Sequence, residues 1–163
     1  MKKLKSIVVA GGCFWGLEHL LSKFKGVVDT EAGYAGGDLI DPTYNEVKTG
    51  TTGHAESVKI TFDTEVVSLQ EVLHYFFKIH NPTTVNQQGN DKGTQYRSTI
   101  FIENKEDQRI AKEVINEVNA LATFSDPVRT TLEMDKVFYS AEKYHQKYLE
   151  KNPGGYSCHF ERS

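Results

Sequence analysis

A two-layer α/β (α+β) sandwich, one mixed β-sheet packed with helices in a single domain, is the fold this sequence predicts. Three features predict it. Apolar runs with strand character alternate along the chain with segments of helical periodicity. Two polar stretches rich in turn residues, 35–55 and 80–96, interrupt that alternation as long loops. The 163 residues carry no internal repeat or low-complexity linker and suffice for one domain, 1–163, with a real hydrophobic core.

Each element has its own local reason. Ile7-Val8-Val9-Ala10 reads as a buried strand, after which Phe14, Leu17, Leu20, Leu21 and Phe24 recur at helical spacing. Gly26 ends that helix, and residues 27–34 read as a strand running to Gly36-Gly37. Pro42, Gly50 and Gly53 make the next stretch turn-rich, with one short helical turn at residues 44–47. Residues 54–62 alternate as a strand. Ser68-x-x-Glu71 is a capping box that opens a helix with Leu69, Val72, Leu73, Phe76 and Phe77 on its apolar face. Residues 81–95 form a polar loop and 96–102 return as a strand. A helix over 105–122 turns Ile110, Val114, Ile115, Val118 and Leu121 inward. Residues 128–134 form a strand, and 140–150 a helix carrying Tyr144, Tyr148 and Leu149. Asn152-Pro153-Gly154-Gly155 stops it and releases a short flexible tail, 153–163.

Composition excludes several function classes. The net charge is -3 and no basic block exceeds Lys2-Lys3, which argues against a nucleic-acid or anionic-membrane surface. The apolar run after the basic start is only four residues long, too short for a signal peptide, so a cytoplasmic protein is expected. No segment reaches transmembrane length, and nothing suggests an obligate dimer, so a monomer is expected. The two cysteines, Cys13 and Cys158, lie near opposite ends; a reducing compartment disfavours a permanent staple but permits a transient catalytic disulfide. No C-x-x-C is present and the six histidines show no ligand-pair spacing, so no metal is expected. Gly11 and Gly16 have the outer spacing of a phosphate loop, but Leu17 and Glu18 stand where Lys and Ser/Thr belong.

Cys13 lies where a strand turns into a helix. There the unpaired N–H groups and helix dipole favour an anion, a setting that lowers the ordinary thiol pKa of about 8.5. The plain alternative is a cysteine acting as a buried small hydrophobe. Glu56 shares its strand parity with Val58, Ile60 and Phe62. It is therefore either a strand-end carboxylate in water or a buried carboxyl, whose raised pKa would suit a proton donor. Tyr34, Tyr44 and Tyr96 fall in loops, where phenols can bond a polar ligand oxygen. Phe14 and Trp15 can enclose an apolar group. Thiol, acid, phenols and aromatic pocket together suit a substrate with a small apolar group beside a polar X=O bond.

Over nearly its whole length the sequence resembles the class A peptide methionine sulfoxide reductases. Seven blocks carry the likeness in order: Gly12-Cys13-Phe14-Trp15-Gly16, Gly33-Tyr34-Ala35-Gly36-Gly37, Pro42-Thr43-Tyr44, Gly53-His54-Ala55-Glu56, Gln88-Gly89-Asn90-Asp91 with Gly93-Thr94-Gln95-Tyr96-Arg97-Ser98, Tyr144-His145-Gln146-x-Tyr148-Leu149, and Asn152-Pro153-x-Gly155-Tyr156. The resemblance implies that Cys13 attacks the sulfoxide sulfur and that Glu56 protonates its oxygen. It implies that Tyr44 and Tyr96 bond that oxygen, that Phe14 and Trp15 hold the S-methyl group, and that Asp91 lines the site. It further implies that Cys158 resolves a Cys13 sulfenic acid as a disulfide and that thioredoxin reduces it. The S epimer would be the substrate and no cofactor would be needed. Two departures stand out: the tail lacks the glycine-rich extension and third cysteine of some members, and Asn81 replaces the aspartate expected before Pro82. A thiol peroxidase would leave Glu56, Tyr44 and Tyr96 without a role. A non-catalytic methionine- or aromatic-binding module would need only the Phe14/Trp15 pocket.

Overall fold

The computed structural model describes residues 3–157 and 159–161. In chain order its elements are β1 (Leu4–Gly11), α1 (Phe14–Ser22), β2 (Val27–Ala35), α2 (Tyr44–Val47), β3 (Ala55–Asp63), α3 (Leu69–Ile79), β4 (Gln87–Gln88), β5 (Asp91–Lys92), β6 (Ser98–Ile102), α4 (Lys105–Ala120), β7 (Thr131–Met134), β8 (Phe138–Ser140) and α5 (Tyr148–Lys151). Among the described residues, six strands pair as one mixed sheet in the order β7-β6-β1-β3-β2-β8. Only β6 and β7 run parallel, and α4 supplies the crossover that a parallel pair needs.

Strand alternation decides which face is covered. Ile7, Val9, Ala32, Tyr34, Val58, Ile60, Phe62, Ile100 and Ile102 point into one core with Leu17, Leu21, Phe76, Ile110 and Val114 of the helices. The opposite face carries a smaller cluster of Ala10, Ala35, Ala55 and Phe101. In the register, Val9 faces Val58 and Tyr34 faces Glu56, so the carboxyl of Glu56 belongs to the helix-covered face. Caps fix the helix starts. Ser68 and Glu71 form the expected reciprocal box, and Thr43 with Glu46 forms a second that opens α2. Among the described residues no helix is long and apolar enough to cross a membrane.

Four sequence expectations need correction. Leu121, expected on the inward face of the 105–122 helix, follows the last residue of α4 as its C-cap and is exposed. The stretch 81–95 is not plain loop: it folds as the β4–β5 hairpin followed by a 3-10 turn, Thr94–Tyr96, so Tyr96 precedes the strand it was expected to start. Tyr34 is an interior residue of β2 and not a loop residue. The expected helix over 140–150 is broken into β8, a 3-10 turn (Lys143–His145) and the short α5. The cause is a tertiary contact: the Gln146 side chain extends the sheet edge, Oε1 accepting the Ala32 N–H and Nε2 donating to Ala32 O, both at 2.8 Å. Lys147 then turns left-handed at φ 54°, which no continuous helix permits. Tyr144 consequently points outward instead of into the core.

The buried carboxylate of Glu18 holds this broken segment against α1. It accepts the Lys147 N–H at 2.8 Å and the Thr30 hydroxyl at 2.9 Å, while Lys147 Nζ donates to Thr30 O at 2.8 Å. Removing it leaves two donors unpaired, so Glu18→Ala should lower the unfolding free energy by about 2 kcal/mol in chemical denaturation. No measurable loss would show that the segment is held elsewhere.

Candidate active site

The site begins at the turn between β1 and α1. Gly12 adopts φ 93°, a conformation that favours glycine, and Cys13 follows as the buried N-cap of α1 with extended backbone. The Cys13 side chain makes no cap bond, and the first turn holds no acidic residue. Its first N–H group is met from the sheet instead: Phe14 N–H donates to Glu56 Oε1 at 3.1 Å.

Glu56 is 1% exposed. Desolvation dominates its protonation, opposed by the Phe14 N–H and reinforced by the charge of Asp91, and its pKa is pushed up to about 8. At neutral pH it is therefore mostly a neutral carboxylic acid, able to accept from Phe14 and to donate a proton.

Two phenols face the same electrostatic environment. Burial pushes Tyr44 up to about 12 and Tyr96 higher still, and Glu56, Cys13 and Asp91 all add to both shifts. Both therefore stay protonated at physiological pH and can donate hydrogen bonds. The mutual influence brings Cys13, Glu56, Tyr44, Tyr96 and Asp91 into one neighbourhood, although they come from five separate elements. Tyr44 is seated by its own N–H, which donates to Glu142 Oε2 at 2.9 Å. The turn that bears Tyr96 is tied to the segment that follows α2: Gln95 Nε2 donates to Lys48 O at 3.2 Å and Thr94 Oγ1 to Gly50 O at 3.3 Å. Asn81 uses its Oδ1 to accept from Thr83 N–H and Oγ1, an acceptor role that an aspartate would fill equally.

An aromatic wall stands beside this cluster. Phe14 packs against Tyr34, Tyr44 and His145, and Trp15 stacks on Tyr148 with ring centroids 3.7 Å apart. His145, not singled out from the sequence as a site residue, sits at the centre of this wall. Trp15 Nε1–H, which can only donate, bonds His145 Nδ1 at 2.9 Å. The imidazole is thereby held neutral with its proton on Nε2, and burial lowers its pKa in the same direction. That buried Nε2–H has no hydrogen-bond partner among the described residues. Glu142 was missed as well; it accepts from both Tyr34 Oη and Tyr44 N–H, so Tyr34 is a structural support and not a ligand-facing phenol. The only sequence signal for this group was the block around Tyr144-His145-Gln146. Cys158 lies outside the described residues; next to it in sequence, His159 Nε2–H donates to Gly11 O at 2.6 Å.

Comparison with known proteins gives one family. Residues 5–163 match the family model described as peptide methionine sulfoxide reductase. A Clostridium botulinum (strain Okra / Type B1) protein named peptide methionine sulfoxide reductase MsrA is 49% identical over 156 residues, 96% of this chain and 98% of that one. The crystal structure of Mxr1 from Saccharomyces cerevisiae in reduced form superposes with a TM-score of 0.93 at 40% identity, covering 99% of this chain and 93% of that chain. The same yeast protein in complex with Trx2 superposes at 0.67 and 26% identity, covering 99% and 91%.

The burial of Glu56 has a consequence for stability. A carboxyl raised from 4.5 to about 8 favours the folded state fully below pH 4.5, and that contribution is lost as pH rises toward 8. Relative to Glu56→Gln, which keeps the acceptor for Phe14, the wild type should lose stability on the order of 1 kcal/mol per pH unit across this window, then level off. Parallel pH-dependence of the two proteins would contradict a buried neutral acid.

Proposed function

The chain belongs to the peptide methionine sulfoxide reductases, and on that premise we propose that it reduces the S epimer of methionine sulfoxide through a sulfenic acid and a disulfide. Its substrates are oxidised methionines in proteins and peptides, and free methionine sulfoxide as well. The observation that carries this reading is the buried Glu56, bonded to the N–H that follows Cys13. A sulfoxide oxygen leaves only when protonated, so thiol and acid must act on one substrate at one place.

Glu56 gives its proton to the sulfoxide oxygen, and the Tyr44 and Tyr96 hydroxyls stabilise the charge as it develops. Phe14 and Trp15 hold the S-methyl group and Asp91 supports the polar part of the substrate. Cys13 attacks sulfur and forms an S–S bond to it. The S–O bond breaks as the oxygen passes to Cys13 Sγ, and the S–S bond breaks with its electron pair returning to the substrate sulfur. Methionine thus leaves reduced, and Cys13 is left as a sulfenic acid that keeps the oxygen and the proton. The Cys158 thiol then displaces water to form a Cys13–Cys158 disulfide. The dithiol of thioredoxin reduces that disulfide and becomes oxidised in turn. Family membership supports thioredoxin, as does the structure of the similar yeast protein with Trx2. Epimer choice rests on family membership alone, and action in the cytoplasm as a monomer is part of the same proposal. The role is repair of oxidised proteins, and it requires no metal or organic cofactor.

Thiol-dependent reduction of epimer-resolved methionine sulfoxide peptides tests the reading: loss of oxygen from the S epimer alone supports it, and turnover of the R epimer alone would refute it. Cys13→Ser should abolish methionine release in a single turnover, and substantial residual release would remove Cys13 from the nucleophile's role. Glu56→Gln should lower the rate by around 10²–10⁴-fold, the range for lost acid catalysis. The active form of Glu56 is the protonated one, so the wild-type rate should fall as pH climbs past about 8. The glutamine variant should lack that limb; an unchanged rate and profile would overturn the assignment.

A further inference from the structure

Gly16, just beyond the Cys13 turn, is explained by the tail. Gly16 lies in the first turn of α1, where glycine costs about 1 kcal/mol relative to alanine, so its presence calls for a packing reason. A Cβ added there would lie 2.5 Å from Ser157 Oγ and 2.6 Å from His159 Nδ1. A Cβ on Gly12 would lie 3.2 Å from His159 Cε1, besides striking Gln88. Gly12 and Gly16 together thus leave a cradle beside Cys13, and the imidazole of His159 occupies it.

The seat is polar as well as steric. His159 Nε2–H donates to Gly11 O at 2.6 Å, in the strand end that leads into Cys13. Ser157 Oγ accepts the His159 N–H at 3.2 Å and closes the local turn, and the Glu161 carboxylate lies 3.6 Å from Lys78 Nζ of α3 as an outer clasp. The clasp is half exposed at both ends and contributes little. The imidazole, with its ring in the cradle and its N–H on Gly11 O, anchors the tail beside Cys13.

We infer that His159 is a positioning residue, docking the tail on the Cys13 turn and thereby setting the rate at which the disulfide forms. This rests on the reading of Cys158, its sequence neighbour, as the resolving thiol. The step itself balances: the Cys158 thiol and the Cys13 sulfenic acid give one disulfide and one water, with no outside oxidant or reductant. Docking one residue away keeps the attacking thiol at high effective concentration instead of leaving it to a free tail's search.

The test is a rapid-quench single turnover of the full chain without reductant, following methionine release and loss of the sulfenic acid separately. In His159→Ala, disulfide formation should slow about tenfold relative to methionine release, the effect of losing one well-made contact. Gly16→Ala, which fills the cradle but keeps the histidine, should slow the same step. His159→Gln, which retains an N–H donor, should recover part of the rate. A wild-type ratio of the two steps in His159→Ala overturns the inference. Cys158→Ser, run alongside, separates the two ideas: a stalled sulfenic acid there upholds the resolving role even if His159→Ala resolves normally. Full thioredoxin-supported turnover in Cys158→Ser would instead remove the resolving role and the latch with it.

Discussion

The hydrogen bond from Phe14 N–H to Glu56 Oε1 joins the two parts on which the site depends. One is the N-terminus of α1, whose first N–H groups lie outside the helix's own hydrogen-bond ladder. The other is a carboxyl that the pleat of β3 turns into the helix-covered core. Each would be costly alone: an N–H buried without an acceptor, and an acid buried without a donor. Together they satisfy one another and bring sulfur chemistry and acid chemistry to one place. A single N–H bond compensates only part of the desolvation, and the acid therefore stays protonated at neutral pH. The imperfect compensation is what makes the acid useful.

The rest of the molecule keeps that pair in place. The register that sets Tyr34 opposite Glu56 also aims Tyr34 Oη at Glu142, and Glu142 in turn takes the Tyr44 N–H. Gln95 and Thr94 tie the turn that bears Tyr96 to the loop after α2. Trp15 fixes the His145 tautomer while stacking on Tyr148. Strands hold the acid and a helix start holds the thiol, while short helical turns pinned by side-chain-to-backbone bonds hold the phenols. A groove of about 770 Å³ between α1, α3 and α4, lined by Leu20, Phe24, Tyr75, Phe77, Val118 and Leu121, holds none of these groups.

Much of this was legible in the sequence, for reasons that also explain what was not. The Cys13 turn shows because an apolar strand, glycines and a helical stripe follow one another directly. The α3 cap shows because Ser68 and Glu71 stand at the spacing the geometry demands, and Glu56 shows because strand parity is strict. Periodicity could not reveal that the Gln146 amide would extend a sheet edge or that Lys147 would turn left-handed. Both depend on contacts with β2 and α1, more than a hundred residues away in sequence. His145 stayed hidden because its role comes from Trp15, 130 positions earlier. The β4–β5 pair, two residues per strand, is too short to leave a pattern. Gly16 offered only the outer spacing of a failed phosphate loop, whereas its neighbours in space belong to the tail.

The central claim is that a neutral Glu56 stands beside Cys13 at physiological pH. Its most direct test is a carbon-13 NMR titration of the Glu56 side-chain carboxyl in the intact protein, assigned by its loss in Glu56→Gln. A midpoint near 8 is the predicted result. A midpoint near the ordinary glutamate value of about 4.3 would mean an ionised carboxylate at neutral pH and would contradict the account of the site.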